Sequence, residues 1–216
     1  MSTKSPVHSE QYPASYYFAT AKELHQSPRL EEVLDVDVCV VGGGFSGINT
    51  AIELAQKGFS VALLEAKRIG WGASGRNGGE LIRGIGHNIE QFENIIGSEG
   101  VSSIEQMGFE AVDIVRQRVK EHNIDCNLQM GYCDLAIKSK HMHELEADLE
   151  HLTKIGYGDN MTLLDKSRVG EVIGSDFYQG ALVDMASGHL HPLNLALGEA
   201  KVARSLGVKM YEYSAA

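Results

Sequence analysis

Six consecutive residues, Gly42-Gly43-Gly44-Phe45-Ser46-Gly47, carry the G-x-G-x-x-G spacing by which a backbone turn can close on a pyrophosphate. Gly42 permits the tight turn, Gly44 lets main chain approach the phosphates, and Gly47 lets the following helix pack closely on its strand. The helix start adds unpaired N–H groups and the positive end of a dipole. Such a hexapeptide is common on its own. Here the β-branched run Val36 to Val41 precedes it, and a helix-like stretch, Phe45 to Lys57, follows and stops at Gly58. Ala51 is small where that helix should cross the sheet. Glu65 closes a second apolar run, Ser60 to Glu65, where a carboxylate can accept hydrogen bonds from both ribose hydroxyls and repels a 2′-phosphate. NADP is therefore disfavoured, while NAD and FAD both remain open at this turn. The candidate contacts are Gly42, Gly44, Phe45, Ser46 and Gly47, with Glu65 and its neighbour Ala66.

A second glycine-rich stretch, Gly70-Trp71-Gly72-Ala73-Ser74-Gly75-Arg76-Asn77-Gly78-Gly79, begins a few residues past Glu65. It has no task in a simple NAD domain. FAD is longer, and its ribityl chain and ring must be followed beyond the ADP half. Ser74 and Asn77 offer hydrogen bonds to phosphate or ribityl groups, and Arg76 offers a charge. Gly78 and Gly79 let backbone lie near the ring. This second loop turns the reading to FAD.

The elements that must position these residues follow from periodicity. An arm, residues 1–34, is expected to be extended with one short helix near Ser15 to Leu24. The strand Val36 to Val41 is expected to be buried, Cys39 within it included. With the strand Ser60 to Glu65 it should form a parallel βαβ unit. Apolar residues at Val101, Ile104, Met107, Ala111, Ile114 and Val115 predict a core-facing helix over Val101 to His122. Strands are expected around Gly131 (Leu128 to Ile137), at Met161 to Leu164 and at Gly180 to Val183, with an amphipathic helix from Met142 to Lys154. Pro192 opens a helix through Leu206, and Val208 to Tyr213 forms a last strand. The fold class expected is α/β, a Rossmann-like FAD-binding βαβ unit with part of an inserted α+β substrate domain, an incomplete fold. Residues 35–87 hold the βαβ unit and flavin loop, 88–190 the partial substrate domain, and 191–216 the return to the FAD domain.

Formal net charge is −10 across 216 residues, which argues against a nucleic-acid partner. Cys39, Cys126 and Cys133 form no CxxC pair and no disulfide framework. Neither a leader nor a membrane-length apolar run is apparent, so a cytoplasmic, reduced protein without a membrane partner is expected. His141, His143 and His151 share one helix, but i and i+2 point to different faces, and no zinc-like spacing appears. No metal site is expected. His189 and His191 before Pro192 should shape the entry to the last helix.

These residues resemble the D-amino-acid-oxidase-like FAD-dependent oxidoreductases, and among them the γ-glutamylputrescine oxidoreductases. The likeness rests on Ser15-Tyr16-Tyr17, the Val38 to Gly47 fingerprint, Arg68-Ile69-Gly70 running into Gly72 to Gly79, and Gly188-His189-Leu190-His191-Pro192-Leu193-Asn194. It implies oxidation of a primary amine, γ-glutamylputrescine or similar, to an imine that hydrolyses to aldehyde and ammonia, with O2 as electron acceptor giving H2O2. The flavin would supply the chemistry and the protein its position. Glu80 stands where the family usually has glutamine, which leaves the substrate preference open. The loop offers no His or Cys for attachment, so the FAD is expected to be non-covalent. Strands for the other flank of the sheet and the family's later flavin contacts find no counterpart. The chain thus resembles the family's first half, and a fragment with an exposed sheet edge, weak FAD affinity and little turnover is expected. Catalytic residues stay unknown and the oligomeric state open. The alternatives are a non-catalytic dinucleotide-binding subunit completed by a partner chain, and an NAD-dependent dehydrogenase.

Overall fold

Ser15 accepts a hydrogen bond from the Phe18 N–H and so starts a five-residue helix, α1 (Tyr16–Thr20), inside the otherwise extended arm. The computed structural model describes residues 12–86 and 89–216; the arm before Tyr12 lies outside them. After the arm come β1 (Val38–Val41), α2 (Phe45–Gln56) and β2 (Val61–Leu64). The two strands pair in parallel, Val38 opposite Val61 and Val41 opposite Leu64. Farther along lie β3 (Glu80–Leu81), α3 (Glu93–Glu121), β4 (Gln129–Ala136), α4 (Ser139–Lys154), β5 (Met161–Asp165) and β6 (Gly180–His189). The chain closes with α5 (Pro192–Ser205) and β7 (Lys209–Tyr211).

Two compact units emerge. One combines residues 1–79, 116–127 and 190–216. Its sheet has the order β1-β2-β7, all parallel, with Ala62 opposite Lys209. The parallel βαβ unit and the returning third strand are those expected from the sequence. Ile48, Ala51 and Ile52 of α2, Val61 to Leu63 of β2, and Leu193, Ala196 and Ala200 of α5 form its interior. At the start of α5 the N-cap is His191, whose Nδ1 accepts from the Asn194 N–H at 3.1 Å, and Pro192 occupies the first turn.

The other unit combines residues 80–115 and 128–189. The ten-residue strand β6 is its spine: β4 runs antiparallel along it, and β5 and β3 pair with its two ends. Leu145 and Leu152 of α4 pack on Ala136, Met161 and Leu182. Gly131, at φ +116°, takes up a register shift between Met130 and Tyr132.

Several expectations need correction. β1 is not buried: only Val40 is, while Cys39 is exposed and Val41 is 66% exposed. Among the described residues β1 pairs with β2 alone, and α2 lies over Val40, leaving the face with Cys39 and Val41 open. In α3 the stripe is out of phase, since Met107 and Ile114 are exposed and the buried side runs through Gly108, Val112 and Arg118. This helix is also interrupted at Gly97, which adopts φ +72°. β6 continues six residues beyond Val183, because buried Asp184 is satisfied locally, accepting from Arg83 Nη1 at 2.5 Å, Ser187 Oγ at 2.7 Å and the Ala186 N–H at 2.9 Å.

Candidate functional site

At the end of β1 the chain turns on Gly42, whose φ of +104° lies in the region that disfavours side chains. A Cβ on Gly47 would overlap the Gly42 carbonyl oxygen, so the first turn of α2 sits directly on the end of its strand. Both glycine roles inferred from the spacing have a geometric cause here. Gly44 is the N-cap of α2 and makes no side-chain cap. The N–H groups of Phe45, Ser46 and Gly47 stand in the first turn, where no intrahelical acceptor exists. An anion placed there meets aligned donors and the helix dipole.

Glu65 follows β2 directly and is half-buried. Its Oε2 accepts from the Gly43 N–H at 2.7 Å and its Oε1 from the Lys67 N–H at 2.7 Å. A carboxylate has about four acceptor positions, so two bonds leave capacity for ribose hydroxyls. Its neighbour Ala66 is exposed.

The second loop reaches the first turn through one side chain. Ser74 Oγ accepts from the Phe45 N–H at 3.0 Å, and a Cβ on Gly44 would come within 2.8 Å of that hydroxyl. The structure therefore brings Gly42 to Gly47, Glu65 and Ser74 together. Asn77 is engaged within its own loop, its Nδ2 donating to the Ser74 carbonyl at 3.0 Å and its Oδ1 accepting from the Gly79 N–H at 2.9 Å. Arg76 donates from Nε to the Gly72 carbonyl at 3.1 Å and rests over the Trp71 ring at 5.1 Å. Arg76, Asn77 and Gly78 are exposed and make no hydrogen bond to the Gly42–Gly47 turn. The fit to a dinucleotide is good: a side-chain-free turn, a helix start whose Ser46 and Gly47 N–H groups have no intrahelical acceptor, a carboxylate at the second strand, and the Ser74 hydroxyl on the Phe45 N–H beside them.

Two ion clusters hold these parts, and of their charged residues only Arg68 stands among those that carry the family likeness. Glu212, fully buried just after β7, accepts from the Ile69 N–H at 2.7 Å and the Ser27 N–H at 2.8 Å, with Arg68 Nε at 3.0 Å. It pins the start of the second loop. Under α2, Arg118 binds Asn49 Oδ1, Glu53 Oε1 at 2.9 Å and Glu199 Oε1 at 3.5 Å, while Asn49 Nδ2 donates to Glu199 Oε2 at 3.0 Å. Burial pushes the Glu199 carboxyl up to about 7, against the opposing pull of Arg118 and Asn49. An acid inside an apolar helix face was the available signal: Glu199 interrupts the run Leu195 to Ala203.

Among the described residues no three His, Cys, Asp or Glu side chains gather as a metal would require, and no helix is long and apolar enough to cross a membrane. His143 and His151 instead pair with Glu146 and Glu105.

The sequence model of the family described as "DAO: FAD dependent oxidoreductase" matches residues 37–216. A γ-glutamylputrescine oxidoreductase of Escherichia coli (strain K12) is 41% identical over 95% of this chain and 48% of its own length. A probable oxidoreductase OrdL of Haemophilus influenzae is 40% identical with the same coverage. The chain thus spans about half the length of these curated relatives. Among solved structures, an L-amino acid deaminase from Proteus myxofaciens in complex with anthranilate superposes with a TM-score of 0.71 at 21% identity, over 90% of this chain and 41% of that one. Glycine oxidase from Geobacillus kaustophilus gives a TM-score of 0.63 at 25% identity, over 82% of this chain and 46% of that one. With the fingerprint, second loop and parallel sheet in place, these matches show that the chain belongs to the DAO family of FAD-dependent oxidoreductases.

Proposed function

We propose that this chain forms the FAD-binding part of an amine oxidoreductase that acts on a γ-glutamylputrescine-like primary amine. The products would be the aldehyde, ammonia and H2O2, with O2 as acceptor, in the cytoplasm. The observation that carries the cofactor assignment is the Ser74 Oγ to Phe45 N–H hydrogen bond, which joins the second glycine loop to the dinucleotide turn. The 41% identical relative named for γ-glutamylputrescine supports the substrate class.

In this reading the Ser46 and Gly47 N–H groups in the first turn of α2 bind the pyrophosphate. The Ser74 hydroxyl, which already accepts from Phe45, donates its own proton to a phosphate oxygen. Glu65 takes the adenosine ribose hydroxyls and excludes a 2′-phosphate by charge. Gly78 is exposed and leaves main chain open along the ribityl and ring, whereas Gly79, buried against the Leu190 carbonyl, has both its N–H and its carbonyl engaged within the protein. When bound, FAD supplies the oxidising chemistry toward the amine. The second loop, from Gly70 to Gly79, contains no His or Cys, so the cofactor is held without a covalent bond.

The test is titration of the purified chain with FAD, followed by release with acid or heat and mass spectrometry of the ligand. One intact FAD per chain, displaced by neither NAD nor NADP, is expected. Retention of NAD in its place would overturn the assignment and favour a dehydrogenase. Little peroxide is expected from the chain alone, which spans about half the length of its relatives; what is released should come with γ-glutamylputrescine and not with α-amino acids.

A further inference from the structure

The arm motif Ser15-Tyr16-Tyr17 lies outside the group formed by the Gly42–Gly47 turn, Glu65 and Ser74. Two tyrosine hydroxyls of the arm nevertheless reach the second glycine loop, one at each end. Tyr12 Oη donates to the Ile69 carbonyl at 2.7 Å, immediately before Gly70. Tyr17 Oη donates to the Gly78 carbonyl at 3.1 Å, immediately before Gly79. Between these points the loop has no strand pairing and only a three-residue 3₁₀ turn, Ala73–Gly75. Apart from the short-range bonds of Arg76 and Asn77 within the loop, its shape therefore depends on what grips it from outside.

We propose that the arm is a clamp on this loop, with Tyr12 and Tyr17 as positioning residues that hold the loop's two ends in the conformation that receives FAD. The proposal rests on the FAD reading above.

The arm is itself firmly seated. Tyr12 is 7% exposed, packs on Phe18 at 5.5 Å between ring centroids, and lies under the Arg68 guanidinium at 5.1 Å. Burial raises its phenol pKa, so the hydroxyl stays a donor. Tyr17 meets the His191 ring edge-on at 5.0 Å. His191 Nδ1 accepts from the Asn194 N–H, which leaves the neutral ring's proton on Nε2 to donate to Thr20 Oγ1 at 3.0 Å. The end of α1 is thus fastened to the start of α5. From that same start the Leu190 N–H donates to the Gly79 carbonyl at 2.8 Å. Gly78 and Gly79 are consequently held by two neighbouring carbonyl bonds, one from the arm and one from the residue before His191. Ordering a loop before its ligand arrives removes part of the entropic cost of binding.

The experiment compares Tyr17→Phe, Tyr12→Phe and the control Tyr16→Phe in the full chain. Tyr16 is 73% exposed and its hydroxyl makes no bond to the loop. Hydrogen–deuterium exchange is read without cofactor, and FAD affinity and the visible circular dichroism of bound flavin are read with it. Loss of one net hydrogen bond predicts roughly tenfold faster exchange at Arg76 to Gly79 in Tyr17→Phe and about fivefold weaker FAD binding. An altered flavin dichroism and unchanged exchange over α2 are expected with it. In Tyr12→Phe the faster exchange should fall at Ile69 to Trp71. Unchanged loop exchange in both variants, or a rise spread evenly over the unit, would overturn the clamp. If the unsubstituted chain retains no FAD, the cofactor reading fails separately, and the exchange pattern still decides whether the arm grips the loop.

Discussion

In the turn Gly42–Gly47 the adjoining strand and helix do the positioning. In the loop Gly70–Gly79, bonds of Arg76 and Asn77 within the loop are joined by groups from the arm, the first turn of α2, Leu190 before α5 and Glu212 after β7. The turn's shape is set chiefly by residues inside it, a positive φ at Gly42 and no room for a Cβ at Gly47, with Glu65 and Ser74 each accepting one of its N–H groups. The loop's shape is set by residues as far away as Tyr12 and Glu212. Glycine serves both, in the turn to allow one exact geometry and in the loop to leave the backbone open. A segment of the second kind can be recognised in a sequence, but what holds it cannot.

The contrast can be broken most severely at Glu212. Glu212→Ala removes the acceptor of the Ile69 and Ser27 N–H groups and leaves the Arg68 guanidinium buried without its partner. A loss of about 3–5 kcal/mol is expected in urea unfolding, with loosening of the loop. Next comes the seat of the turn. The Glu199 carboxyl is raised from 4.5 to about 7 in the folded chain. Below pH 4.5 it is protonated in both states; from 4.5 to 7 only the unfolded chain loses the proton, so stability falls as pH rises through that window. The total is of the order of 3 kcal/mol, and Glu199→Gln should flatten that slope in denaturation followed against pH.

Gly47→Ala strikes the turn itself. It should cost about 1–3 kcal/mol through the clash with the Gly42 carbonyl. FAD binding should fall more than in any single-residue change to the second loop. The smallest effect belongs to the link between the two segments. Ser74→Ala deletes the cap on the Phe45 N–H and should cost about 1 kcal/mol, seen as a several-fold weaker FAD titration with little change in the unfolding midpoint.

Much of the first unit was legible from the sequence, because its signals are local. β-branched runs, a glycine turn and helix-compatible residues lie next to one another in chain order, and β7 follows Gly207 in the same manner. The candidate residues that gather at the turn, Glu65 and Ser74, were found for the same reason. Asn77 was picked out by type, but the structure shows its amide engaged in closing its own loop. Cys39 and Val41 read as buried because apolar composition cannot report that their strand lies at a sheet edge. The stripe on α3 failed in phase, since Met107 and Ile114 fit the period but not the packed side. Long-range partners left little local trace: Glu199 stands out as an acid in an apolar helix face, but nothing beside it points to Arg118. Arg118 with Glu199, and Arg68 with Glu212, each join residues 80 or more positions apart, and Ser15-Tyr16-Tyr17 of the arm carries a family likeness without showing what its hydroxyls bind.

The central claim is that the turn and the loop are two halves of one FAD site. Its most direct test is a fluorescence titration of the chain with FAD beside Gly47→Ala and Ser74→Ala, with the bound ligand identified by mass. Saturation at one FAD per chain, weakened by both substitutions and most by Gly47→Ala, is the expected result. No saturable FAD binding, or binding indifferent to Ser74→Ala and Gly47→Ala alike, would contradict it.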